Sequence, residues 1–340
     1  MRTPRVSVVL PNLNNRRFLV DRLDSIVNQT LEDWELVIVD SFSDDGAWEL
    51  IQEYAARDPR IRASQAPREG IYPGLNRCIE QAVGEDVYIA TSDDTMDTTC
   101  LETMALGLDE HRECDICHTP LRVIDERGDP IDGVWRKYPV ARVLGPLVDQ
   151  PHIRRAPFDG VLHCAVVTVF SSLTQILIRR SVFEKVGLFR NDWGPEGDFE
   201  WGMRAALVSS TLYLPDEVAT WRRYELQATA QVGLESEARF ARLADMVAAA
   251  LDTLPADGAE TLRRIPRHEF CRPYRQLQLQ AGMNAREGKF RKLWYLARMG
   301  VSSPDAVIHR LRGAKSPQQY ARQLMERLGL EDRVVQLGGD

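Results

Sequence analysis

Short apolar runs alternate with stretches of helical period over about the first 110 residues, and this alternation constrains the fold more than any other feature. Val6-Ser-Val-Val-Leu10 ends at Pro11, as a buried strand does. From Phe18 to Thr30 the apolar positions 19, 20, 23, 26 and 27 follow helical spacing. Trp34–Val39 reads as a second buried strand ending at Asp40, Ala47–Arg57 as helix, Arg60–Ser64 as a weak third strand and Ile71–Val83 as helix closed by Gly84. Asp86–Ala90 is a fourth strand running into Thr91-Ser92-Asp93-Asp94, and Thr98–His111 is another helix. Strands alternating with helices imply an α/β fold, a Rossmann-type, mostly parallel sheet with helices on both faces. Ligands of such sheets bind beyond the carboxyl ends of the strands. Chemistry is therefore expected just after Leu10, Val39 and Ala90, at Pro11-Asn12, Asp40-Ser41 and Asp93-Asp94. None of these turns carries a G-x-G-x-x-G or G-x-x-x-x-G-K-[ST] pattern, which removes the main support for a dinucleotide oxidoreductase or a P-loop ATPase.

Beyond residue 112 the alternation stops. Cys114–Ile124 and Gly133–Tyr138 read as strands around the turn Glu126-Arg-Gly-Asp-Pro130, Gln175–Ile178 as strand, and Ser181–Val186 and Asp198–Ser209 as helices. From about 235 to 328 the pattern is helical, so a boundary is placed near residue 230, with 231–340 as a helical C-terminal region. No run approaches a membrane span, and no apolar leader precedes the first strand, so a cytoplasmic location is expected. Cys114-Asp-Ile-Cys117-His118 matches a haem-attachment or redox pattern, but it sits in an expected strand, and structural thiols are the better reading.

The residues that carry chemistry are acids. Two adjacent carboxylates, Asp93 and Asp94, repel unless a cation or hydrogen bonds offset the charge. Oxygen ligands facing a diphosphate suit Mg²⁺ or Mn²⁺. Asp40 fits equally a turn-capping role with Ser41 and Ser43 or a hydrogen bond to a nucleobase. Asp198 and Glu200 lie where Gly194-Pro-Glu-Gly197 feeds a helix. Acids there commonly cap the helix, and the same position can hold a general base.

Taken together, these segments resemble the family 2 glycosyltransferases, over roughly residues 5–230. Val6–Asn14 is similar to the family's opening strand and Pro-x-(Tyr)-Asn turn, and Trp34–Asp44 to its second strand. Ala82–Asp94 resembles the strand leading to its Asp-x-Asp type motif, and Ile176–Arg190 with Gly197–Arg204 the stretch around its catalytic acid. The resemblance implies a GT-A-like fold, with a nucleotide-sugar half over about 1–112 and an acceptor half over about 113–230. It implies a sugar transferred from a nucleotide donor, UDP-sugar by family frequency, to a glycan or lipid-linked hydroxyl in one inverting displacement. Asp198 would be the base. Pro11, Asn12, Asn14, Asp40, Asn76, Arg68 and Asp93 would bind the donor, and Asp94, with Asp93, would hold Mn²⁺ or Mg²⁺. Trp193, Glu196 and Glu200 are expected near the acceptor.

Three departures stand out. Thr91 occupies a position where the family often has an acid, Arg68 and Arg77 are the nearest cations for the diphosphate, and Tyr224 stands where a His is common. Arg222 or Arg223 is expected to neutralise the leaving group instead. A nucleotidyltransferase would want a glycine-rich loop that Pro11–Arg16 lacks, whereas a catalytically weakened nucleotide-sugar-binding module is compatible with the departures. Residues 261–315 hold 13 Lys/Arg against 3 Asp/Glu in a chain of net charge −7. Either an ordinary solvated face or a peripheral contact at the inner face of a membrane fits that asymmetry. Nucleic acid is not expected, since no binding motif is present.

Overall fold

The computed structural model describes residues 3–165, 168–224, 236–254, 262–311, 313 and 316–338. The expected boundary near 230 lies outside them. Strands β1 (Val6–Asn12), β2 (Trp34–Asp40), β3 (Ile61–Gln65) and β4 (Asp86–Ile89) alternate with helices α1 (Arg16–Val27), α2 (Ala47–Arg57) and α3 (Ile71–Gln81), and α4 (Cys100–Glu110) follows β4. β1 pairs in parallel with β2 on one side and β4 on the other, and β3 extends the sheet beyond β2. The strand order reverses between β1 and β4, which opens a crevice beyond their carboxyl ends.

The second part adds β5 (Ile116–His118), β6 (Leu121–Ile124), β7 (His152–Arg154), β8 (Ile176–Arg179), β9 (Thr211–Tyr213), β10 (Ala219–Arg222) and β11 (Val334–Gln336). The main sheet runs β11-β7-β9-β5-β8-β4-β1-β2-β3, and β10 pairs in parallel with β6 in a separate ribbon. β8 lies antiparallel to both β4 and β5, so the sheet is mixed around its parallel half. Helices α5 (Pro139–Leu144), α6 (Phe158–Ala165), α7 (Ser181–Val186) and α8 (Gly197–Val208) fill this part, followed by α9 (Glu237–Asp252), α10 (Arg267–Asn284), α11 (Lys289–Ser302), α12 (Pro304–Leu311) and α13 (Pro317–Leu328).

Two expectations are corrected. Cys114–Ile124 is two strands in different sheets, because Pro120 lacks the N–H that would continue the ladder and the chain turns there. Gly133–Tyr138 is not a strand. The turn before it forms, with Ile124 bridging Pro130, but Gly133 adopts φ +67° and Trp135–Lys137 winds into a 3₁₀ turn ahead of the helix that Pro139 opens.

Strand alternation sorts the core into two layers. Val8, Leu10, Leu36, Ile38 and Tyr88 pack with α1, α2 and α4. Val9, Val37, Val39 and Ile89 face α3, in a layer that continues through Trp201 of α8 to Phe240, Phe270 and Leu324 of the C-terminal helices. The six cysteines are buried and unbonded, Cys114 and Cys117 included. Among the described residues no helix is long and apolar enough to cross a membrane.

Candidate functional site

The ends of β1 and β2 form a closed hydrogen-bonded corner. Asn12 donates to Asp40 Oδ1 (2.8 Å) and to Ser43 Oγ (3.2 Å). Ser43 donates its hydroxyl to Asp40 Oδ1 (2.6 Å) and its backbone N–H to Oδ2 (2.9 Å), while Gln65 reaches Oδ2 at 3.2 Å. Asp40 is fully buried, and chain donors fill its acceptor positions. Its capping reading is therefore visible in the geometry. Asn14 holds the neighbouring loop from φ +50°, exchanging hydrogen bonds with Asp44 (2.9 Å each way). Arg68 donates to Ser41 O (3.1 Å), to Phe42 O and to Asp44 (2.9 Å), so its guanidinium clamps the β2 loop. Arg77 is paired with Glu69.

The carboxylate pair at the end of β4 is asymmetric. Asp94 is buried, and both of its oxygens are engaged, by the Thr91 hydroxyl and by the Arg222 backbone N–H (2.7 Å). Burial, and secondly the charge of Asp93, push its pKa up to about 7 against those hydrogen bonds and the buried Arg22. Asp93 is half-buried and accepts from Tyr224 at 2.9 Å through Oδ2, while Oδ1 has no hydrogen-bond partner among the described residues. The carboxylate open to a ligand is thus Asp93, not Asp94. Tyr224, whose pKa is pushed up to about 12 by burial and then by Asp93, is a neutral donor rather than a substitute for a metal-binding His. Arg222 is no partner for a leaving group. Its guanidinium is buried on Asp93 O (2.8 Å), Glu126 O (2.9 Å) and Asp21 (3.2 Å), which leaves the exposed Arg223.

Asp198 lies in the first turn of α8 and is solvent-exposed. Its Oδ1 accepts from Phe199 N (2.7 Å) and from the Tyr72 hydroxyl (3.1 Å). The protein packed around it raises its pKa above the ordinary carboxylate value, and these hydrogen bonds oppose the rise. Tyr72 also donates to Pro195 O (2.9 Å). One turn along α3, the Asn76 amide grips the Phe189 backbone from both sides (2.8 and 3.0 Å), so it pins the approach to Asp198 rather than facing a phosphate. A single segment, Arg68 to Asn76, therefore spans from the β2 loop to the base.

Two acceptor expectations are corrected. Glu200 is fully buried in a two-pronged pair with Arg204 (2.8 and 2.9 Å). Glu196 is buried between Arg239 (2.6 Å) and Arg242 (2.9 Å) of α9. Neither has a carboxylate to offer an acceptor. Trp193 is half-buried against the core. Ser43, Gln65 and Tyr72 were not singled out as site residues. Only Ser43 carried a signal, as a cap former after a strand.

Residues 7–187, just over half of the chain, match glycosyl transferase family 2. The chain belongs to this family. It is 32% identical over 152 residues to EpsE of Bacillus subtilis (strain 168), a match covering 44% of this chain and 51% of EpsE, so it spans about half of that relative's length. The fold of this family 2 glycosyltransferase is similar to S. aureus TarS 1-349 in complex with UDP-GlcNAc, with TM-score 0.63, 15% identity and coverage of 96% of this chain and 90% of TarS 1-349. It is also similar to the mannosyltransferase PcManGT from Pyrobaculum calidifontis in complex with GDP-Man and Mn²⁺, with TM-score 0.50, 17% identity and coverage of 97% and 86%. The likeness shows the GT-A fold.

Proposed function

We propose that this family 2 enzyme moves a sugar from a nucleoside-diphosphate donor, UDP-sugar in the first instance, to a hydroxyl of a glycan or lipid-linked acceptor by single inverting displacement. Within this proposal it works in the cytoplasm. The observation that carries it is the placing of Asp198 by Tyr72, on the same segment whose Arg68 clamps the loop beside Asn12 and Asp40. Pro11, Asn12 and Asn14 line the nucleoside end, with Asp40 holding that corner in shape. Asp93 is the protein ligand for Mn²⁺ or Mg²⁺. No group of three or more His, Cys, Asp or Glu able to hold a metal occurs among the described residues. One open carboxylate completed by donor phosphates and water is a donor set that Mg²⁺ accepts. When bound, such a cation offsets charge on the leaving diphosphate. Asp94 holds the Arg222 backbone N–H, and the Arg222 guanidinium in turn holds the Asp93 carbonyl. Asp198 Oδ2 takes the proton of the acceptor hydroxyl as that oxygen attacks C1, and the raised pKa strengthens it as a base.

The test is donor turnover with and without Mn²⁺. Release of UDP from UDP-sugars in the presence of an acceptor, lost in Asp198→Asn, supports the reading. Stable donor binding with no turnover on any acceptor favours the weakened binding module, which the single open carboxylate also fits.

A further inference from the structure

Helix α11 has two apolar faces. Tyr295 and Met299 turn inward against Leu279 of α10. On the outside, Phe290, Leu293, Trp294 and Val301 are 81%, 65%, 61% and 87% exposed, and the adjoining α12 exposes Ile308 and Leu311. The outer positions recur at helical spacing, so they share a stripe. Lys289, Arg291 and Lys292 flank that stripe and make no ion pair among the described residues, and α11 contains no Asp or Glu. A groove of about 610 Å³ opens beside it, walled by Arg286, Phe290, Arg291 and Trp294 together with Glu237, whose charge is paired by Arg286 and Arg298.

We propose that the outer face of α11 and α12 docks this enzyme on an anionic lipid bilayer. Exposed Trp and Phe with interleaved Lys and Arg suit the boundary between headgroups and acyl chains: the rings enter the apolar layer while the cations stay at the phosphates. Charge decides against a second copy of this chain as the occupant, since pairing two such faces would set unpaired cations against unpaired cations. Docking also reaches the site. Arg286 and Arg298 both hold Glu237 at the start of α9 (2.8 and 3.2 Å), and Arg239 and Arg242 of that helix hold Glu196, two residues before Asp198. The face is thereby tied to the loop that presents the base, where a lipid-linked acceptor would be used.

The test is flotation of the full chain with phosphatidylcholine vesicles containing about one quarter phosphatidylglycerol, against pure phosphatidylcholine. The protein is expected to float with the anionic vesicles alone and to be released by about 0.5 M NaCl. F290S/W294S and K289E/R291E/K292E are each expected to weaken binding about tenfold or more, with unchanged thermal unfolding. No flotation of the wild type, or equal flotation of both variants, overturns the proposal. A wild-type dimer in sedimentation equilibrium that F290S/W294S dissolves also overturns it, because the face then joins two copies. Donor turnover without vesicles, measured in the same variants, keeps this outcome separate from that of the proposed transfer reaction.

Discussion

Asp198→Asn removes the base while sparing its surroundings. The asparagine keeps an oxygen where Oδ1 accepts from Phe199 N (2.7 Å) and Tyr72 (3.1 Å), so the first turn of α8 is expected to stay in place. A positioned base contributes about 10²–10⁴-fold, which at about 1.36 kcal/mol per tenfold is about 2.7–5.4 kcal/mol of barrier. kcat should fall by that factor, while the UDP-sugar Kd, measured by calorimetry, stays within about twofold. Tyr72→Phe sets the scale of positioning alone. Its hydroxyl proton is shared between Pro195 O and Asp198, so one partial hydrogen bond is lost, net about 0.5–1.5 kcal/mol and at most about tenfold in kcat. The pH profile gives the sign. Only ionised Asp198 accepts a proton, so kcat/KM falls as pH drops through its raised pKa. Removing a hydrogen bond that favours the ionised form moves this acid limb to higher pH in Tyr72→Phe. An Asp198→Asn enzyme that keeps more than about a tenth of kcat, or loses donor affinity as steeply as rate, refutes the assignment.

The two central acids should separate. Asp93→Asn is expected to abolish Mn²⁺-dependent thermal stabilisation by UDP with little change in the unliganded Tm, whereas Asp94→Ala should lower that Tm, because it leaves the buried Arg222 N–H and the Thr91 hydroxyl without their acceptor. Glu200→Gln leaves Arg204 buried without its countercharge and should cost about 3–5 kcal/mol in urea unfolding. His163 has a folded pKa of about 3, below its ordinary 6.5, because it is buried. The unfolded chain therefore takes up the extra proton as pH falls from about 6.5 towards 3, and stability declines by up to about 1.4 kcal/mol per unit. Wild type should lose that much more per unit between pH 6.5 and 5 than His163→Gln, and equal slopes would show that His163 is not the group responsible.

The parallel half was legible because each of its elements is long enough to show a period. Leu36–Val39 is an unbroken apolar run closed by Asp40, and Ala47–Arg57 is a helix whose bounds match the expected ones. Three-residue strands such as His152–Arg154 and Thr211–Tyr213 show no period at all, and only long-range pairing reveals them. The site followed the same division. The Glu200–Arg204 pair was within reach of the sequence, since the two lie four apart on one helix, and the acceptor role assigned to Glu200 overlooked it. Arg239 and Arg242 lie more than forty residues from Glu196, so nothing local betrayed that pair. Which of Asp93 and Asp94 faces outward depends on the backbone of Arg222, 128 positions from Asp94.

The sheet ends on a strand from far along the chain. β11 lies at the edge, antiparallel to β7, with Val335 opposite Ile153. On a ribosome, the N–H and C=O groups on that side of β7 stay uncovered while about 180 further residues are made. A bare strand of this kind is a template for pairing with other chains, and such remote contacts form late. Nascent chains stalled before residue 334 should therefore need a holding chaperone, and a protein cut back to that point should aggregate even though its whole catalytic cleft has been synthesised.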